Sequence, residues 1–206
     1  LVLSVTTSEP DKIEALAAHC ADSGIDFLDT PVSGTSKNVS EGRGHGLIGG
    51  NEAVIEAASD LLDAIYSTRS VTGAAGSATK TKLAINHILG LNRVALAEGL
   101  VFAEALGLEK ATFLEIAKKS AAYAQIMDVK GGMMVEGDFS SPVSKVSQHY
   151  KDVRIMLEEA RRRGQPLPML NMLAELLDAC EKSGDGEMDN AITINEIRRR
   201  KNAANR

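Results

Sequence analysis

The longest apolar pattern in the chain covers residues 77–106, SATKTKLAINHILGLNRVALAEGLVFAEAL. Apolar residues fall on nearly every side of the helical repeat, the mark of a helix buried all round. Its first turns break that pattern with Lys80, Lys82, Asn86 and His87. Lys82 and Asn86 are four apart and share one helix face. An amine and an amide at the open end of a buried helix point to chemistry there.

Ahead of this helix, strand and helix patterns alternate. Residues 1–6 (LVLSVT) are β-branched and apolar and predict a buried strand. Thr7, Ser8 and Pro10 then signal a helix start, with Ser8 or Glu9 near the cap and Pro10 in the first turn. That helix turns Ile13, Leu16, Ala17 and Cys20 inward and stops at Gly24. Residues 25–32 (IDFLDTPV) predict one strand, residues 33–46 a polar Gly- and Ser-rich loop, and residues 47–50 (LIGG) a short strand. Asn51 caps a helix over 51–65, with Ile55, Ala58, Leu61, Leu62 and Ile65 inward. Residues 66–71 form the last strand. The alternation predicts an α/β layer with a largely parallel sheet. After Gly73 the strands cease. Helical patterns return over 109–121, 124–135, 144–164, 167–184 and 190–200, punctuated by Gly107, Gly137, Gly164, Gly184, Pro142 and Pro166. The expected organisation is part of an α/β domain over 1–76 and an all-α domain over 77–206, joined by the long helix.

Composition narrows the function classes. Aromatic residues make up 3% of the 206 and Trp is absent, so the core is aliphatic. A net charge of −5 provides no basic field to draw nucleic acid or a membrane surface, and the basic tail from Arg198 reads as a solvated end. Cys20 and Cys180 lie far apart, as reduced buried thiols of a cytoplasmic protein do. The sequence has no apolar run long enough to span a bilayer and no secretory signal pattern.

Two motifs mislead. Residues 44–49 (GHGLIG) match the GxGxxG dinucleotide fingerprint, but residues 38–43 before them are polar apart from Val39, and the apolar strand that must lead into the fingerprint is missing. They read as a glycine-rich turn. Residues 73–81 (GAAGSATKT) imitate a phosphate-binding loop without the glycine before Lys80. The four histidines share no metal-ligand spacing, and Asp26 and Asp29, three apart on a strand, face opposite ways. No metal site is expected.

Four segments then line up in order. Thr6-Thr7-Ser8-Glu9-Pro10 is like S-T-x-x-P. Asp29-Thr30-Pro31-Val32-Ser33-Gly34 is like D-A-P-V-S-G-G. Gly73 and Gly76, followed by Lys82 and Asn86, are like a catalytic lysine segment, and Tyr150-Lys151-Asp152-Val153 is like a late K-D-[LV] motif. On these residues the chain resembles the β-hydroxyacid dehydrogenase family over almost its whole length. The resemblance implies a fold in which the C-terminal part of a Rossmann-type NAD(P)-binding domain precedes an all-α dehydrogenase C-terminal domain. The family's GxGxxG lies ahead of the first segment and is not among these residues. These residues by themselves are therefore expected to bind nicotinamide poorly.

The resemblance also implies the chemistry. NAD or NADP serves as cofactor, and a small 3-hydroxy acid is interconverted with its semialdehyde. Lys82 is the general acid/base, since burial disfavours a charged amine and eases proton exchange. Lys80 is the competing lysine, on another face. Asn86 hydrogen-bonds the substrate. Ser33, Gly34 and Thr35 hold its carboxylate; Thr35 stands where the family often has glycine, and its hydroxyl favours a polar substrate. Thr7 contacts the nicotinamide or its ribose. Lys151 closes over the site, Asp152 orients or caps, and Phe139 lines the site. A homodimer or homotetramer is expected through apolar faces over 97–105 and 167–177, aided by the small residues Ala95, Gly99 and Ala103. Two other readings stay open: a non-catalytic oligomerisation module, and a 6-phosphogluconate-dehydrogenase-like enzyme. The latter calls for a phosphate-binding basic cluster beyond Lys145, Lys151 and Arg154.

Overall fold

A computed structural model describes residues 1–34 and 36–203. The chain forms two compact units, Leu1–Asn86 and His87–Arg206.

The first unit is a mixed sheet with helices. β1 (Val2–Ser4) leads to α1 (Pro10–Asp22), with Glu9 at the cap position and Pro10 opening the first turn, where a missing N–H costs nothing. Ser23 and Gly24, the latter at φ +67, end it. The strand expected over 25–32 is two strands, β2 (Phe27–Asp29) and β3 (Val32–Ser33). Pro31 between them has no N–H to give to a ladder. A short helix, α2 (Ser36–Ser40), interrupts the expected loop. β4 (His45–Gly50) begins two residues earlier than its apolar run suggests. Asn51 caps α3 (Glu52–Ala57) by accepting the Ala53 N–H, and α4 (Ser59–Ile65) follows after a break at Ala58. β5 (Thr68–Gly73) completes the sheet.

β1 runs parallel to β2, and β4 parallel to β5. β4 is antiparallel to both β2 and β3, so the sheet is mixed rather than largely parallel. β2 and β3 pair with opposite ends of β4: Asp29 faces Gly49, and Ser33 faces His45. Leu28, Ile48, Ile55, Leu62 and Tyr66 form the core on one face. β1 is not buried as expected; Leu1, Val2 and Val5 are exposed. Leu16, Leu61 and Ile65, expected inside, are exposed too.

The GxGxxG match is strand, not turn, and its glycines make room for neighbours. A Cβ at Gly46 would meet the Tyr66 ring at 2.6 Å, and one at Gly50 would strike Leu28. These glycines serve close packing inside the unit.

α5 (Ser77–Ala105) belongs to both units, which part at residues 86 and 87. The second unit continues with α6 (Lys110–Ala117), α7 (Ile126–Glu136), α8 (Val146–Arg162), α9 (Pro168–Lys182), a 3-10 turn (Asn190–Ile192) and α10 (Thr193–Ala203). α8 packs on α9, and α9 on α10. Val153 and Met156 of α8 and Leu170, Leu173 and Leu177 of α9 are buried. The apolar stretches expected to face a partner therefore go largely to this core: Ala97, Leu100, Ala103, Leu170, Leu173, Leu176 and Leu177 are all inside. Phe102, Leu106, Met169 and Met172 stay exposed.

Candidate active site

The site is organised by the start of α5. After β5 the chain turns through Gly73 and Gly76, at φ +124 and +87. Gly49 of β4 lets the new helix come close: a Cβ there would lie 2.8 Å from the Ala74 carbonyl oxygen and the Ser77 hydroxyl. Asp29, wholly buried at the end of β2, accepts the Thr79 N–H and the Thr79 hydroxyl, both at 2.8 Å. The Gly76 and Ala78 N–H groups add their pull on its charge. The carboxylate thus takes up an N–H group that a helix start leaves unmatched, at the positive end of the helix dipole. Burial pushes the Asp29 carboxyl above its ordinary value, against the pull of these hydrogen bonds.

From that anchor the two lysines diverge. Lys80 points outward and pairs with Glu14 of α1 at 2.6 Å. Lys82 is 8% exposed. Asn86, half-buried, follows one turn later on the Lys82 side of the helix. Ser33 is half-buried at the end of β3, and Gly34 behind it takes φ +140, in the region that favours glycine. Thr35 lies outside the described residues. Thr7, half-buried, follows β1. Because Ser4 and Asp29 are parallel partners, the stretches leading to Thr7 and to Ser33 start from the carboxyl ends of adjacent strands, where ligands collect in such sheets. The fit to a nicotinamide cofactor in this unit rests on that hydroxyl at a strand end. The β4 glycines offer no phosphate cradle, since neighbouring side chains and backbone occupy their space.

The second unit carries the remaining expected residues. Lys151 on α8 is exposed and lies 3.2 Å from the carboxylate of Asp152, which is buried. Phe139 does not line an open site: its side chain is 5% exposed, and its carbonyl accepts the Asp189 N–H. A cavity of about 580 Å³ lies near the amino end of β2, between Ala17, Phe27, Gly50, Val54 and Ala75, and none of the expected site residues lines it.

Asp29 is the residue that sequence reasoning missed. The sequence presents it as a poor half of a carboxylate pair and as the first residue of the Asp29–Gly34 segment, with no role of its own. The available signal was an acid ending an apolar strand, with a threonine in the first turn of the later helix.

Two family descriptions match. Residues 1–76 match the NAD binding domain of 6-phosphogluconate dehydrogenase, and residues 76–197 match the NAD-binding domain of NADP-dependent 3-hydroxyisobutyrate dehydrogenase. The chain is 30% identical over 195 residues to 2-(hydroxymethyl)glutarate dehydrogenase of Eubacterium barkeri, covering 94% of this chain and 64% of that protein. It is 26% identical over 196 residues to 2-hydroxy-3-oxopropionate reductase of Escherichia coli strain K12, covering 95% and 67%. The chain thus spans about two thirds of the length of these relatives. Its fold is that of 3-hydroxyisobutyrate dehydrogenase from Salmonella typhimurium, with a TM-score of 0.87 at 22% identity over 94% of this chain and 68% of that one. Fold and sequence together define a nicotinamide-cofactor dehydrogenase architecture. Within it, the chain belongs to the β-hydroxyacid dehydrogenase family.

Proposed function

We propose that the protein carrying this chain is an NAD(P)-dependent oxidoreductase that interconverts a small 3-hydroxy acid and its semialdehyde. The observation that supports it most is Lys82, buried in the first turns of a helix whose start Asp29 anchors to the strand leading into Ser33. The names of the two relatives point to the same chemistry, a hydroxyl or oxo carbon β to a carboxylate. When bound, NAD or NADP supplies the hydride acceptor or donor. Lys82 Nζ takes the hydroxyl proton during oxidation and returns it to the carbonyl oxygen during reduction. Ser33 Oγ and the Gly34 N–H hold the substrate carboxylate, with Thr35 beside them. Asn86 orients the substrate and Lys82. Thr7 contacts the nicotinamide or its ribose, and Lys151 closes over the bound pair. The division of labour follows the sequence in the main: 1–76 for the cofactor, with Ser33 to Thr35 lent to the substrate, and 77–206 for substrate and assembly.

The test is a panel of 3-hydroxy acids with NAD+ and NADP+, followed by absorbance of the reduced cofactor. Lys82→Ala is expected to lower kcat by ~10²–10⁴. Lys80→Ala is expected to leave kcat near wild type. Wild-type turnover by Lys82→Ala would remove Lys82 from the reaction.

A phosphate-bearing substrate fits less well. Lys145 pairs with Glu187 at 2.6 Å and Lys151 with Asp152, so two of the three basic groups are already engaged. Exposed Phe102, Leu106, Met169 and Met172 support a homodimer or homotetramer through the helical unit. The non-catalytic module shares that surface but has no need of the buried lysine. Among the described residues no helix is long and apolar enough to cross a membrane. We place the protein in the cytoplasm on the strength of its two reduced, buried cysteines.

A further inference from the structure

The second unit contains a buried cation, two of whose donors no described residue matches. Arg93 on α5, 4% exposed, lies in an interior that also holds Lys130 of α7, His149 of α8 and Asp189. Lys130 Nζ meets both oxygens of Asp189, at 2.7 and 2.5 Å. The same carboxylate accepts the N–H groups of Val143 at 2.8 Å, Ser144 at 3.2 Å and Ala191 at 2.9 Å. Its acceptor sites are thereby taken up without Arg93. Arg93 Nε and Nη2, and His149 Nε2, are buried and meet no hydrogen-bond partner among the described residues. His149 packs against α5 one turn before Arg93: a Cβ at Gly90 would lie 3.2 Å from His149 Nε2.

The charges do not cancel. Arg93 and Lys130 are set against one carboxylate. Burial, reinforced by the charges of Arg93 and Lys130, holds His149 well below its ordinary value, so the imidazole is neutral. Cys180, the other group that acts on Arg93, is a thiol pushed up to about 12, chiefly by burial, and is neutral as well. Burial lowers Arg93 to about 10, which still leaves it cationic at neutral pH. Among the described residues two buried positive charges therefore share the one carboxylate of Asp189, in a poorly solvated place where an ion that is not fully matched is strongly disfavoured. In the same unit Arg198 pairs with Glu104, Arg163 with Glu159 and Arg199 with Glu196.

The two unmatched arginine donors have a defined geometry. Nε–H and Nη2–H lie side by side along one edge of the planar guanidinium and point the same way. They suit one acceptor that carries negative charge. Gly90 lies close to both His149 and Leu173, since a Cβ added there would come within 2.7 Å of Leu173 Cδ2, so an occupant of this interior has to be small. We propose that Arg93 and His149 form an internal binding site for a small monovalent inorganic anion of the chloride class, seated on the Nε–Nη2 edge of Arg93. A bridging water would satisfy the hydrogen bonds but leave the charge.

Thermal unfolding at constant ionic strength, with sodium chloride replacing sodium gluconate, tests this. The wild-type Tm is expected to rise with chloride, by about 3–6 °C for each tenfold increase above half-saturation. Arg93→Met is expected to lose that increment, and in gluconate to melt above the wild type, because an apolar side chain of similar length removes the buried charge. Wild-type crystals grown in sodium bromide are expected to show an anomalous peak at the Arg93 edge. Equal Tm in the two salts, or an undiminished chloride increment in Arg93→Met, overturns the proposal. If Arg93→Met does not fold, the bromide map decides: a site without a peak at Arg93 holds no anion.

Discussion

At the scale of single residues, Lys80 and Lys82 show how two steps along a helix separate a surface charge from a buried one. The Lys80–Glu14 pair is nearly half exposed on both sides, so losing it is expected to cost at most ~1 kcal/mol in a urea titration. Lys82 lies inside and has the family spacing to Asn86. That much was legible, because residues four apart on a helix are neighbours in any helix. Asp29 was not legible, because its partner Thr79 is 50 positions further along. Asp29→Ala removes the acceptor for the buried Thr79 N–H and hydroxyl at the start of α5. We expect a loss of about 1–3 kcal/mol in chemical unfolding. We also expect a fall in kcat larger than any change in KM for cofactor, since the displaced group is Lys82. Unchanged kcat in a folded Asp29→Ala protein would show that the anchor does not position the lysine.

At the scale of elements, periodicity found nearly every helix but not where long ones divide. The helix expected over 51–65 breaks at Ala58, and the strand over 25–32 breaks at Pro31. At Ala58 the helical periodicity continues on either side of the break, whereas Pro31 after Asp29 and Thr30 is itself a break signal that reading 25–32 as one strand passes over. Asp189 illustrates an element-level device. It ties α7, through Lys130, to the N–H groups of residues 143 and 144 ahead of α8 and to the 3-10 turn. Burial pushes its carboxyl up, but Lys130 and the N–H groups outweigh burial and hold it below its ordinary value of 3.8. A carboxyl whose folded pKa is depressed stabilises the fold above its unfolded pKa, and loses that contribution as pH falls through the folded one. Stability is therefore expected to be flat in this respect above pH ~4 and to decline below it. Asp189→Asn should abolish that part of the acid dependence while lowering stability at neutral pH. Acid unfolding profiles of the two proteins that differ only by a constant offset would contradict this.

At the scale of the whole molecule, the α/β-then-all-α order and the family were both readable from four short segments and the change of periodicity after Gly73. Assembly was only partly readable: most of the apolar helix surface turned out to serve the unit's own core. Among the large apolar side chains that stay outside is Phe102, at 62% exposure. Phe102→Asp is expected to shift the protein to monomers in sedimentation velocity with little change in Tm. An oligomer that persists would move the interface elsewhere. The sequence by itself determined where helices and strands form and which residues share a helix face, because those properties depend on neighbours in the chain. Only the tertiary structure decided that β4 runs against β2 and β3, that Asp29 closes the head of α5, and that Arg93 Nε and Nη2 are buried without a hydrogen-bond partner among the described residues. Strand pairing, burial and charge compensation depend on residues far apart in the chain, and a local pattern holds no information about who meets whom.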